Sequence, residues 1–350
     1  MMKHILKMLM VTLVVVHIYG CNPDDNVMPA GKYENGVLII NEGNFTDGDG
    51  SVSFYNPDTE DIHLKIFKEE NGRPFGGLLQ SVTVHNGKAY LIDNLGSKIE
   101  VVEAGSFKWE TTISEDLSLP RFFAAIDNKA YVSNWGPYAP DFTSPDSYIA
   151  VIDLDNMKVI KKIDVNSAPE GIIVVGEKLF VSSQTTSEIS IIDTGTDTIT
   201  GTIPVGFGPT HFVTDSQGRI WVACTGGVLY AINPVTEEIA ASVEIENLTG
   251  RISINQNTQS IYLLTSTWAP DYSYTENEVV TLNTGSPNEV RKIFATRNLY
   301  GLGVDSASGV IYLANSNAFL GNGTIIKINP EGTETGNFPA GRGPNGFVFR

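Results

Sequence analysis

Seven strand-like hexads recur along the chain: VLIINE at 37, AYLIDN at 89, AYVSNW at 130, LFVSSQ at 179, IWVACT at 220, IYLLTS at 261 and IYLANS at 311. Their spacings are 52, 41, 49, 41, 41 and 50 residues. A repeat of this kind constrains the fold strongly, because each unit can bury its apolar face only against a neighbouring unit. A period near 41 with occasional insertions fits one four-stranded propeller blade and exceeds the ~34 residues of a helical repeat. The expectation is an all-β fold, a seven-bladed β-propeller of four-stranded blades. That architecture also accommodates 350 residues, more than the ~250 to 300 at which a single core stops growing.

The remaining strands arrange themselves around these anchors. Apolar segments precede them, as in QSVTVHNGK, RFFAAIDNK, EGIIVVGEK and HFVTDSQGR, and are placed innermost around the axis. After each anchor an alternating strand ends in a turn: Asn56-Pro57-Asp58, Glu103-Ala104-Gly105, Asp153-Leu154-Asp155, Asp193-Thr194-Gly195, Asn233-Pro234-Val235, Asn283-Thr284-Gly285 and Asn329-Pro330-Glu331. Asn or Asp opening a turn, with Pro next or Gly third, is ordinary β-turn chemistry, so these are hairpins between third and fourth strands. The segment Gly343 to Arg350 reads as an innermost strand with no anchor after it, and VLIINE has no innermost strand before it. The C-terminal strand is therefore expected to pair with the N-terminal blade and close the ring without a free edge. Tyr90, Tyr131, Phe180, Trp221, Tyr262 and Tyr312 all occupy the second anchor position, which assigns them to packing between blades. Cys224, also in an anchor, reads as a small buried hydrophobe.

Residues 1–20 read as a secretory signal peptide: Lys3, His4 and Lys7 precede the apolar run Met8 to Val16, too short to span a bilayer. The Ile18-Tyr19-Gly20-Cys21 that follows resembles a bacterial lipobox, with Tyr19 bulkier than the usual occupant, and makes Cys21 the expected lipid attachment. Residues 21–35, beginning Cys21-Asn22-Pro23-Asp24-Asp25-Asn26, are expected to form a lipidated flexible tether, and 36–350 the propeller. The acidic pair resembles the export signal with which Bacteroidetes lipoproteins reach the outer face of the outer membrane. Cys21 and Cys224 are the only cysteines, which excludes a disulfide framework and cysteine-based zinc sites. Lys and Arg number 23 against 40 Asp and Glu, a net charge of −17, and loss of Lys3 and Lys7 on cleavage leaves 21 against 40, or −19. Such a field repels a polymer of phosphates, so no nucleic-acid partner is expected.

AYVSN at 130–134 resembles the Tyr-Val-Thr-Asn signature of YVTN/YncE-type seven-bladed propellers, a similarity that covers roughly Asn35 to Arg350. Taken with the lipobox-like start and the acidic pair, the chain resembles the BtuG-type cobalamin-capturing surface lipoproteins of Bacteroidetes. That resemblance implies cobalamin (vitamin B12), as a ligand rather than a cofactor, and a TonB-dependent outer-membrane transporter as partner. It transfers no binding residues, because the motif specifies fold and is nearly silent on function.

In a four-stranded meander, the loops before each innermost strand and after each anchor share one face. The longest insertions follow anchors. Asn134 to Tyr148 carries Trp135, Tyr138, Phe142 and Tyr148, and Ser266 to Asn277 carries Trp268, Tyr272 and Tyr274. Asn41 to Ser51 adds Phe45, and Asn315 to Gly323 adds Phe319. Aromatic rings on long surface loops point to a binding rim suited to a flat ligand such as a corrin or a sugar face. The alternative is that these loops bury their own rings. The channel mouth is expected to contribute Phe75, Arg121, Phe122, Glu170, Thr210, His211, Arg251, Tyr300 and Asn345, with Asn94 at an anchor end. Arg121 and Arg251 each offer a planar fork to a ligand phosphate or to a neighbouring carboxylate. His211 is the histidine expected on this face, and a hydrogen-bonded structural role is favoured over ligation of a metal such as cobalt.

Catalytic motifs are absent from the sequence: there is no GxSxG elbow, HExxH pair, Walker A loop or Cys-His constellation. Asp47-Gly48-Asp49-Gly50-Ser51 suggests a calcium loop, but Val52 stands where an EF-hand needs Gly. No catalytic residue and no metal site are expected. The reading is a non-catalytic surface protein that captures a large planar nutrient for a transporter. A surface glycan-binding protein is one alternative, and a lactonase-like, metal-dependent hydrolase using Glu170, Asn94 and Asn315 is another.

Overall fold

The computed structural model describes residues 31–350, so the expected signal peptide and the Cys21 attachment site lie outside the described residues. Seven antiparallel four-stranded sheets are arranged so that each innermost strand contacts the innermost strand of the next sheet around a closed cycle. The seven anchors are the second strands of these blades, from Val37–Asn41 in the first to Ile311–Asn315 in the seventh. Ile, Leu, Val and Tyr dominate them, since apolar, β-branched and aromatic side chains pack well on a pleated surface buried on both sides.

Closure occurs as the circular reading requires. The C-terminal strand Pro344–Phe349 pairs antiparallel with Val37–Asn41, placing Val37 opposite Phe349 and Ile39 opposite Phe347. Arg350 extends the seam, its Nη1 donating to the carbonyls of Tyr33 and Ala104. The hairpins also fall where expected. Six Asn or Asp side chains accept backbone N–H bonds within their own turns, as Asn56 does from Asp58 and Asn233 from Val235, and Glu103 does the same from Gly105.

Among the described residues the apolar core is divided into seven parts. One apolar cluster lies at each of the seven blade interfaces, and the second-position aromatics are buried in them. Tyr131 shows the cross-blade role directly, donating its hydroxyl to the Asp197 carboxylate at 2.6 Å. Cys224 is free and buried, as read from its strand.

The irregular spacings are insertions. The interval of 52 residues holds a short helix, Ile66–Asn71, whose Ile66 and Phe67 are buried. Phe75, expected at the channel mouth, packs edge-to-face on Phe67 at 5.9 Å and belongs to this core. An apolar ring is needed there to cover the helix, so Phe75 is withdrawn from the site. The interval of 50 reflects a long hairpin ribbon in the sixth blade, Ser260–Trp268, Thr275–Asn283 and Ser286–Arg297. The packed body also starts ahead of residue 36. Tyr33 is fully buried between Phe54 and Phe107, where the sequence suggested tether.

Candidate functional site

The channel mouth is built by a repeated backbone irregularity. Each innermost strand breaks register with its anchor near the same end, and the residues left out of the ladder are Gln80, Arg121-Phe122, Glu170-Gly171, Thr210-His211, Thr249-Gly250-Arg251, Tyr300 and Asn345. A β-bulge re-aims side chains and ends pairing, which is why polar groups gather here although the strands on either side are apolar. Hydroxyls fasten bulges to the next blade: Ser133 of an anchor donates to the Glu170 carbonyl at 2.8 Å, and Thr210, itself a bulge residue, donates to the Gly250 carbonyl at 3.0 Å.

Arg121 and Glu170, on adjacent blades, form a two-point fork, Nε to Oε2 at 2.9 Å and Nη2 to Oε1 at 2.7 Å. Burial alone would raise the Glu170 carboxyl, and the Arg121 guanidinium overrides it and holds the group below the usual carboxylate range. The other face of Arg121 stacks on Trp135, 4.3 Å from the ring centroid. Both partners are thus committed to the protein.

Arg251 is placed differently. Its guanidinium lies 5.1 Å from the Tyr300 ring centroid, and Nη1 faces His211 Nε2 at 3.5 Å. His211 Nδ1 lies 3.1 Å from the Gly250 carbonyl, which assigns it the proton and leaves Nε2 as an acceptor. Burial, then the Arg251 charge, lowers the imidazole to about 4. Phe122 meets the same ring edge-on at 5.0 Å. His211 is a structural imidazole in this arrangement. On the far side of Tyr300, the hydroxyl donates to Glu42 at 2.8 Å, and Asn345 donates to the same carboxylate oxygen. The sequence reading missed Glu42, although it closes the first anchor hexad.

A cavity of about 480 Å³ opens between the sixth and seventh blades. Trp268, Tyr272 and Tyr274 line it from the long hairpin, Tyr300 and Arg251 from the channel side, and Phe319 from the loop after the seventh anchor. Trp268 is 60% and Tyr272 75% exposed, so these rings have not been buried by their own loop. Tyr300 and Phe319 meet edge-to-face at 5.1 Å. Six of the sequence-selected residues therefore converge on one opening.

The third-blade loop stands apart, three blades away around the ring. Trp135 donates Nε1 to the Pro169 carbonyl at 3.0 Å, Tyr138 leans edge-on against it, and Tyr148 is buried. Trp135 and Tyr138 share the face of the cavity but do not line it. Both long loops use one turn, Ala139-Pro140-Asp141-Phe142-Thr143 and Ala269-Pro270-Asp271-Tyr272-Ser273. In each, the Asp accepts from the following Thr or Ser, and the aromatic sits at positive φ, 62° for Phe142 and 58° for Tyr272. A bulky residue in that conformation is strained by about 1 to 3 kcal/mol and is held there by its surroundings. The shared order of Trp, Pro and aromatic is legible in the sequence of both loops, and the structure adds the common turn.

Asn94 donates to the Pro120 carbonyl, and Asn315 to that of Arg297, in different blades from Glu170. The lactonase-like trio is thereby engaged in separate local bonds. Among the described residues no three His, Cys, Asp or Glu side chains cluster as a metal site.

A family model described as "Domain of unknown function (DUF5074)" matches residues 35–328. No curated protein matches the sequence. Solved structures with similar folds include Kuenenia stuttgartiensis hydrazine synthase (17% identity, TM-score 0.64, covering 77% of this chain and 88% of that one). Another is a quinonprotein alcohol dehydrogenase-like protein from Bacteroides thetaiotaomicron (12%, TM-score 0.68, 91% and 78%). A third is a candidate 6-phosphogluconolactonase from Bacteroides fragilis (10%, TM-score 0.66, 90% and 97%). At such identities the likeness establishes the propeller fold alone.

Proposed function

The chain belongs to the DUF5074 family of domains of unknown function, and from that premise we propose that it is a non-catalytic capture protein whose aromatic cavity binds a large planar nutrient. Cobalamin is the leading ligand, through the resemblance to BtuG-type lipoproteins. Lipid on Cys21 would tether the protein to the outer membrane, facing outward, and a TonB-dependent transporter would receive the ligand. The observation that carries this reading is the convergence of Trp268, Tyr272, Tyr274, Tyr300 and Phe319 on one opening, with two of the rings largely exposed. Flat rings held on a closed scaffold stack on a flat ligand without first being ordered, which reduces the entropic cost of binding. A corrinoid is larger than the cavity, so it would cover the opening with one edge seated inside. Engagement of Glu170 by Arg121 weighs against the hydrolase alternative, which needs a free carboxylate at that position.

Titration calorimetry of the protein with cyanocobalamin and with a panel of oligosaccharides tests the proposal. Saturable heat with cyanocobalamin at micromolar protein is expected. Heat with an oligosaccharide alone turns the reading to glycan binding, and silence with both removes capture of either ligand.

A further inference from the structure

Charge around the aromatic cavity is distributed against the rest of the molecule. The sequence carries 40 acidic residues, yet among the described residues no carboxylate lines this opening, and the one charged lining residue is Arg251. Arg73, Arg121, Arg219 and Arg342 each pair with a carboxylate. Among the described residues none stands within ion-pair distance of Arg251 or of Arg297. Each of these two stacks on a tyrosine of the cavity wall, Arg251 on Tyr300 at 5.1 Å and Arg297 on Tyr274 at 3.9 Å. Of the nearby acids, Glu170 is held by Arg121 and Glu42 accepts from Tyr300 and Asn345, while Glu276 stands opposite Arg297 across the strand pair without closing to an ion pair.

A guanidinium left without a carboxylate, beside exposed aromatic rings, is a recognition element for a planar group that bears an acid. We propose that the cavity selects ligands with an anionic substituent, a carboxylate, phosphate or sulfonate, seated on Arg251 while the body of the ligand stacks on Trp268 and Tyr272. Arg297 supplies a second positive charge at the rim behind Tyr274. The proposal deepens the capture reading and rests on it for the location of the site, though not for cobalamin as the ligand. Arg251 lines both the aromatic cavity and a smaller cavity on the channel side, and of its fork Nη1 is the donor that faces His211 Nε2.

Fluorescence titration with two probes of one scaffold tests this: anilinonaphthalene sulfonate, which is anionic, and phenylnaphthylamine, which is not. The sulfonate should bind about tenfold tighter than the uncharged probe, and Arg251→Gln should erase that advantage while leaving the uncharged probe unchanged. Trp268→Ala should weaken both. Equal affinities for the two probes in the native protein, or no effect of Arg251→Gln on the sulfonate, overturn the proposal. Should Arg251→Gln fail to fold, salt gives the answer on the native protein: raising NaCl from about 50 to 500 mM should weaken the sulfonate several-fold and not the uncharged probe, and salt-independent binding overturns the proposal. Failure of cyanocobalamin to displace a sulfonate probe that Arg251→Gln weakens removes the cobalamin reading and upholds the anion subsite.

Discussion

The Arg121 guanidinium and the Glu170 carboxylate, 49 positions apart in sequence, meet across two blades through paired hydrogen bonds of 2.9 and 2.7 Å. Removing one member strands a charge in a desolvated site, whereas replacing both with apolar groups does not. Glu170→Gln should lower unfolding stability by about 3 kcal/mol, and Arg121→Met combined with Glu170→Leu by much less. Urea denaturation of the singles and the double measures this, and a mild effect of the single change would show that the fork is not a lock between blades.

Ring closure places the whole burden of one blade on the last strand. Deleting residues 345–350 exposes the edge of Val37–Asn41 and opens the interface cluster that holds Phe347 and Phe349. Loss of soluble, cooperatively folding protein is the expected result. An unchanged melting transition in the truncated chain would refute the pairing as a requirement.

The two loop tryptophans should separate in their effects. Trp135 is fixed by Arg121 and by the Pro169 carbonyl, so Trp135→Ala should lower the melting temperature by several degrees with little change in ligand affinity. Trp268 is exposed on the cavity wall, so Trp268→Ala should cost roughly 2 kcal/mol of binding at constant melting temperature. Thermal shift and calorimetry on both variants check the split, and equal binding losses would bring the third-blade loop back into the site.

His211 predicts an acid-sensitive stability. Its imidazole is lowered from an ordinary 6.5 to about 4, first by burial and then by Arg251. The unfolded chain therefore takes up the proton earlier as pH falls. The contribution is complete above about pH 6.5 and is lost progressively toward pH 4, amounting to about 3 kcal/mol at most. Glu100 loses its contribution over a more acid range. Burial would raise it, but bonds from Arg73, Lys98 and Thr112 bring it to about 2, so its stability is present above about 4.5 and lost below. Melting temperatures between pH 7 and pH 5 should fall less steeply in His211→Gln than in the native protein, and parallel slopes would count against a neutral buried imidazole.

Much of the site could be read from residue order, because in a meander the chain itself alternates faces. Trp268, Tyr272, Tyr274, Tyr300, Phe319 and Arg251 were selected as residues of one face and meet at one cavity. Phe75 was misplaced because the helix Ile66–Asn71 has no counterpart in the other blades and recruits that ring as its cover. Glu42 and Gln80 escaped notice because nothing local marks them. Their partners Tyr300 and Arg121 stand 258 and 41 positions away.

Periodic, short-range information was enough to set the number of blades, the strand order, the closing strand and the aromatic second positions, since hydrophobic alternation and turn chemistry act within a single repeat. Which arginine is neutralised, which aromatic loop remains open and where the cavity lies depend on contacts between blades. Those contacts are governed by distances in space across a closed ring, and residues far apart in the chain leave no shared local pattern from which such pairings could be foreseen.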